Sequence, residues 1–354
     1  MKVQRQSCND STLRRAAAGF LMLAISATGA SAAEAPFGSW QTRLDADSPL
    51  VGRMIDTRTG RRLTRADVEK RVRKAPIVLL GEVHDNPDHH RIQAELLRAF
   101  AKGRKKPPAV VYEMITTDRD GALEALKGAG KLSAGAVFDI VDWDNSGWPS
   151  RDVYEPVMKA TVEVSGVPVA GGLPKDMVRA IGRKGLAALS RQRIGELKLG
   201  PLPPELEKRL ERDIVKSHCD MIPPSAARAM SPVQRTRDAL LAKRTADAFR
   251  RRGSAAVITG NGHARKDRGV PFYLARHDYL PPHGKGPRPL VVRLVEARGD
   301  AEKVEDLMPE GTKPADLADI VIVTPRAERE DPCKGFRRFL DRKRKKSEKH
   351  GKPE

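Results

Sequence analysis

The chain is patterned as short, continuous apolar runs separated by longer stretches of helical periodicity. Residues 76–80, 109–112, 167–170 and 255–259 are such runs, built from Val, Ile, Leu, Ala and Pro with Tyr112 and Thr259, and ending at Gly81, Glu113, Gly171-Gly172 and Gly260. Each is too short for a helix and lacks the alternation of a half-exposed strand, so each reads as a strand buried on both faces. Residues 290–295 and 320–324 read as two later strands, and residues 50–54 as a short leading strand before a turn at Thr59-Gly60. Helical patterns fill the spaces between. One starts at Thr64 and runs to Arg73. Asn86 or Asp88 caps another that runs to about Lys102, with Ile92, Leu96, Leu97 and Phe100 on one face. Residues 118–156 begin helical and turn loop-like, and 153–164, 176–189 and 232–252 read as further helices. Residues 190–232 break the alternation with Pro201, Pro203, Pro204, Pro223, Pro224 and Pro232, which predicts a helical, lid-like insertion. The whole is an α/β fold, a mainly parallel central sheet flanked by helices.

Apolar residues make up 39% of the 354 residues and aromatics only 4%, so the core is expected to be aliphatic. The first 33 residues stand apart. Lys2, Arg5, Arg14 and Arg15 precede a short apolar stretch around Phe20, Leu21, Met22, Leu23 and Ile25, and Ala30-Ser31-Ala32 supplies a cleavage site. This predicts a cleaved signal peptide at 1–33 and a periplasmic mature protein; Arg14-Arg15 leaves a twin-arginine route open. No cysteine lies at the cleavage site directly after the apolar stretch, and Cys8 precedes it, so no lipid anchor is expected. In an oxidising compartment Cys219 and Cys333 are either a disulfide or two separate thiols. The formal net charge of +20 is uneven: residues 334–354 hold ten Lys or Arg against three acids. That stretch reads as a solvated, disordered tail from 331 to 354, with attraction to an anionic membrane surface as the next reading. Few aromatics and an exported setting argue against nucleic acid. One α/β domain would then occupy 34–330.

The candidate chemistry lies where strands stop. Gly81-Glu82-Val83-His84 and Gly260-Asn261-Gly262-His263 both carry Gly-x-x-His at the end of an apolar run. Each glycine is expected to let the chain turn and deliver its histidine to the carboxyl edge of the sheet, where α/β proteins bind ligands. Glu82 and His84 share one side of an extended segment. With Glu113 and His263 they make a ring of two carboxylates and two imidazoles, suited to acid–base catalysis or, through Glu82, His84 and His263, to a divalent metal ion. His89 and His90 are expected to be solvated. Arg237 and Asp238 are either functional or part of a solvated face. His218, Cys219 and Met221 are either packing residues or soft ligands for a metal or haem iron. Arg265 and Asp267 could orient His263 or meet an anionic ligand group. Any tyrosinate ligand to haem comes from Tyr112, Tyr154, Tyr273 or Tyr279. Trp143 and Trp148 cover the core or line a pocket.

The segment Leu79-Leu80-Gly81-Glu82-Val83-His84-Asp85-Asn86-Pro87-Asp88-His89-His90 resembles the opening motif of the ChaN-like haem-binding family, within the Tiki/TraB/erythromycin-esterase superfamily. Tyr112-Glu113-Met114, the stretch 143–149 with Tyr154 and Pro156, His218-Cys219-Asp220-Met221, Arg237-Asp238, and Gly260-Asn261-Gly262-His263 with Asp267, Gly269, Val270 and Pro271 are also similar to it. The resemblance spans about residues 70–280. It implies a periplasm-facing protein that binds haem and is associated with iron acquisition. The superfamily implies instead a metal-dependent hydrolase-like centre at Glu82, His84, Glu113 and His263. Two departures stand out: many relatives are lipoproteins, and an asparagine is expected where this chain has Gly171-Gly172. The first expectation is therefore an exported haem-binding protein of iron uptake, with His218, Met221, Arg237 and Arg265 as candidate cofactor contacts. The alternative is the metal-dependent hydrolase. A third is a non-catalytic adaptor held at a membrane by the basic tail. A homodimer is left open.

Overall fold

The computed structural model describes residues 36–276 and 288–349. The expected signal peptide and Tyr279 lie outside the described residues. Seven strands form one sheet in the order β1-β7-β6-β2-β5-β3-β4: β1 (Met54–Asp56), β2 (Ile77–Glu82), β3 (Ala109–Thr116), β4 (Val167–Gly172), β5 (Ala255–Gly260), β6 (Leu290–Glu296) and β7 (Ile320–Thr324). Only β1 is antiparallel, against β7; the other pairings are parallel. The alternation of each buried run splits its side chains between two cores. Ile77, Leu79, Val111 and Val257 face one helical layer, whereas Val78, Leu80, Val110 and Ile258 face the other.

Local signals place the helices. Thr64 and Asp67 form a reciprocal capping box on α1 (Arg65–Lys74). Asn86, not Asp88, caps α2 (Pro87–Ala101): its side chain accepts from Asp88 N and His89 N. α3 (Arg151–Glu163) packs against α2 and carries Tyr154. The insertion is helical, as expected, and packs onto the sheet. Its α4 (Pro204–Ser217) buries Leu210 and Ile214 in the same core as the sheet, as do Leu197, Leu199 and Leu202 before it. The next helix, α5 (Pro224–Arg252), begins eight residues before the expected start at Pro232 and runs through that proline. It packs on β3, β4 and β5, and that packing outweighs one lost backbone bond.

The expected disordered tail is instead a helix, α6 (Pro332–Lys349). Cys333 in its first turn is disulfide-bonded to Cys219, just past the end of α4, across a Cα–Cα distance of 5.6 Å. Phe336 packs edge-on to His218 at 5.3 Å. Charge density alone predicted solvation. The covalent tie and the Phe336 contact give one side of the segment something to fold against.

Candidate functional site

β2, β5 and β3 are neighbours with the same direction, so their carboxyl ends meet at one edge. Glu82 pairs in register with Gly260, which brings the two Gly-x-x-His segments together. Neither Gly81 nor Gly260 has a left-handed φ. They are still strand residues, and the expected sharp turn is not their role. A Cβ on Gly260 would lie 2.6 Å from His84 Nε2, and one on Gly81 would lie 2.6 Å from Asn261 Oδ1 and 2.7 Å from Ala264 Cβ. Each motif's glycine makes room for side chains of the other motif.

His84 Nδ1 is 2.9 Å from Glu82 Oε1, and the Tyr154 hydroxyl donates to the same oxygen at 2.8 Å. Nδ1–H therefore donates to Glu82 and leaves Nε2 without a hydrogen-bond partner among the described residues. The His84 side chain is 35% exposed, with the Trp148 ring 4.8 Å away. Burial opposes a charge on this ring. The Glu82 hydrogen bond and the charges of Glu113 and Glu82 outweigh it and hold His84 above the ordinary histidine range. Glu82 is itself buried, yet His90 and His84 keep it below the usual carboxylate range.

His263 is enclosed. Nδ1 lies 2.7 Å from Asp238 Oδ1 and Nε2 lies 3.2 Å from Glu113 Oε1. Both ring nitrogens face carboxylates, so the ring donates from both as imidazolium. Burial again opposes the charge, but Glu113 and Asp238 raise His263 to about 10. Burial pushes Asp238 up despite His263. Glu113 is held well below its usual range, because His263 outweighs its burial. Its Oε2 also accepts from Thr259 Oγ1 at 2.7 Å and Gly260 N at 2.8 Å.

These pairings explain why the expected metal site does not form. Among the described residues no group of three or more His, Cys, Asp or Glu side chains is arranged to hold a metal ion. Glu82, His84, Glu113 and His263 do converge, but as two histidine–carboxylate sets in which each carboxylate already faces an imidazole.

His89 and His90, expected to be solvated, are fully buried. His89 Nδ1 accepts from Val83 N at 2.8 Å and Nε2 meets Thr324 Oγ1 at 2.9 Å; burial pushes this ring down to about 3. His90 Nε2 faces the His84 carbonyl at 2.9 Å, and its Nδ1 lies 3.2 Å from Glu82 Oε2. Both rings brace the first motif from below.

A cleft of about 720 Å³ opens on this edge, lined by Glu82, His84, Glu113 and His263 with Trp148, Leu210, Ile214 and Arg237. A second cavity of about 390 Å³ shares Glu113, Trp148 and Arg237 with it. Arg265 also lines the larger cleft, although its guanidinium is engaged by Asp267 and Asp213. His218 and Met221 do not line it. His218 turns Nδ1 onto the Ile214 carbonyl at 2.7 Å, and the following cysteine is tied to α6. Among the described tyrosines, the rings of Tyr112, Tyr154 and Tyr273 are fully buried. At β4, a side chain on Gly172 would collide with the Glu113 carbonyl, so the expected asparagine has no room there. Sequence reasoning missed Tyr154 as a partner of Glu82 and the burial of Asp238. The signal for Asp238 was its place one residue after Arg237 on a helix leading into β5.

No protein of curated function matches the chain significantly in sequence. A solved structure titled "Cofacial heme binding to ChaN of Campylobacter jejuni" aligns at a TM-score of 0.56 and 19% identity, covering 76% of this chain and 95% of that one. It shares the fold. The type III effector HopBA1 aligns at a TM-score of 0.39 and 12% identity, over 73% of this chain and 92% of that one. A mutant of the erythromycin esterase EreC in its open conformation aligns at a TM-score of 0.39 and 13% identity, over 83% and 99%. At those TM-scores neither bears on function. The sequence profile of the family described as "Haem-binding uptake, Tiki superfamily, ChaN" matches residues 68–274, more than half of the 354. The chain belongs to that family.

Proposed function

We propose that this chain is an exported haem-binding protein serving haem or iron uptake, with the sheet-edge cleft as its ligand site. The observation that carries this reading is His84: a carboxylate-oriented imidazole that presents an unpartnered Nε2 to a wide cleft beside Trp148. The residues present fit haem. Leu210, Ile214 and Trp148 give the cleft apolar walls, and Arg237 is a half-buried cation with no carboxylate partner among the described residues. Haem, when bound, would supply an iron that an imidazole nitrogen can ligate. His84 would hold the iron and Arg237 would face a propionate. Glu82 and Tyr154 fix the His84 ring.

Export is supported by the Cys219–Cys333 disulfide, which suits an oxidising compartment. The basic helix α6, with Phe339 51% exposed, is suited to an anionic lipid surface and predicts salt-sensitive liposome binding. The direct test is a haemin titration of the mature protein. A saturable Soret band at micromolar haemin is expected; a flat titration rejects the proposal.

One observation favours a second reading. The Glu82–His84–Tyr154 arrangement is that of an oriented general base, able to act on water without a metal ion. It predicts hydrolysis of members of an ester panel by chelator-treated protein, abolished in His84→Asn. Turnover that requires added metal, or none at all, excludes it.

A further inference from the structure

Beside the second Gly-x-x-His motif, Arg265, Arg268 and Arg293 line the cleft, and each is under 7% exposed. Their acids are too few. Arg265 bonds Asp267 through two nitrogens at 2.6 Å and Asp213 at 2.8 Å. Arg268 shares that Asp213 at 2.6 Å, and Arg209 reaches Asp267 at 3.6 Å. Arg293 bonds no carboxylate among the described residues; its Nη1 donates to the Asn261 and Ala264 carbonyls at 2.5 and 3.0 Å. Three guanidinium groups thus share two carboxylates, and a fourth, Arg293, has none among the described residues. The other acids of the cleft, Glu82 and Glu113, face His84, His90 and His263, although Glu82 Oε2 makes no hydrogen bond among the described residues.

Two donors are left over. The Nε–H groups of Arg268 and Arg293 are buried and have no acceptor among the described residues. A buried donor without a partner is destabilising, and a buried cation in net positive surroundings more so. Burial and the neighbouring Arg265 push Arg293 down to about 9, so the cluster is repelling itself. A purely structural role accounts for Arg293 Nη1, which pins the loop that carries His263. It does not account for Arg268, which among the described residues makes a single side-chain bond, to an aspartate already held by Arg265.

We infer that Arg265, Arg268 and Arg293 form an oxyanion subsite of the cleft, which takes a carboxylate or phosphate of the bound ligand. Guanidinium groups suit both, because their planar donor pairs match two oxygens at once. Under the haem reading the oxyanion is a propionate. The subsite rests on that reading only for this identity.

The test compares wild type with Arg268→Gln and Arg268→Lys, using haemin, haemin with both propionates esterified, and inorganic phosphate. Wild type is expected to bind the diester at least about tenfold more weakly than haemin, the scale of one lost charge-assisted contact. Arg268→Gln is expected to bind haemin as weakly as the diester and to lose nothing further on the diester. Arg268→Lys, which keeps the charge, controls for folding and is expected to recover part of the difference. Phosphate should raise the melting temperature of wild type and not of Arg268→Gln. If neither porphyrin binds but phosphate shows this pattern, the subsite stands and the haem reading falls. If haemin and diester bind alike to wild type and Arg268→Gln, and phosphate stabilises neither, the subsite is overturned while the haem reading survives.

Discussion

The two Gly-x-x-His segments are alike in sequence and lie in register on adjacent strands, yet the fold gives their histidines different physical states. His84 has one carboxylate partner, an open Nε2 and a side chain 35% exposed. His263 has a carboxylate on each nitrogen and a side chain 6% exposed. One ring can exchange a proton or meet a ligand; the other is a fixed cation that joins Asp238 on α5 to Glu113 on β3. A repeated motif therefore does not imply a repeated role. The partners that distinguish the copies, Tyr154 and Asp238, lie on helices remote in sequence.

The sharpest way to break this comparison is to remove a charge from the enclosed copy. His263→Ala leaves two buried carboxylates without their cation and should lower unfolding free energy by about 3–5 kcal/mol in urea titrations, and Asp238→Ala, which leaves the buried His263 Nδ1–H without its acceptor, by about 1–3 kcal/mol. His84→Ala, partly exposed, should lower it by about 1 kcal/mol or less. Equal losses would mean that both histidines are structural. Next in size is the contact between the motifs. Gly260→Ala pushes a methyl against His84 Nε2 and should reduce stability by about 1–3 kcal/mol. At Gly262 an added Cβ meets only Gln234 Nε2, at 3.9 Å, so Gly262→Ala should stay within about 0.5 kcal/mol in the same melts.

Ligand binding should separate the copies too. His84→Ala is expected to weaken haemin at least about tenfold, or about 1.4 kcal/mol. Because His84 is held above the ordinary histidine range, its Nε2 lone pair appears only as pH rises. Wild-type haemin affinity should therefore increase with pH, and that dependence should vanish in His84→Ala. His218→Ala is the smallest expected effect: haemin affinity unchanged, because its ring faces α6 and not the cleft. A loss there comparable to that of His84→Ala would move the ligand site.

The pH dependence of stability divides in the same way. His263 is raised in the folded state, so its stabilisation is complete below about 6.5 and is lost as pH climbs through about 10. His89 is depressed to about 3, so its contribution holds above about 6.5 and fades as pH falls toward 3. Urea midpoints across pH should show loss at both ends, with the alkaline limb missing in His263→Gln.

Much of the site was legible because buried parallel strands are near-continuous apolar runs, and residues at their ends fall on one edge. Glu82, His84, Glu113 and His263 could be placed by that logic. Their hydrogen bonds could not, because the bonds join residues far apart in sequence, such as Asp238 to His263 and Tyr154 to Glu82. His89 and His90 were misjudged for a related reason. A polar pair early in a helix is usually solvated, but here Val83 N, Thr324 and Gln93 supply partners in the interior. The basic tail was misjudged from charge alone, because nothing in the local pattern showed that Cys333 would be anchored to the end of α4.

The most direct test of the central claim is an NMR titration of the two imidazole rings in the unliganded protein between pH 5 and 10. The account predicts that the His263 ring stays doubly protonated until about 10, with both ring protons slow to exchange. It predicts that His84 gives up its proton from Nε2 and keeps Nδ1–H toward Glu82. A His263 ring that titrates together with His84, or that is neutral at pH 7, would contradict it.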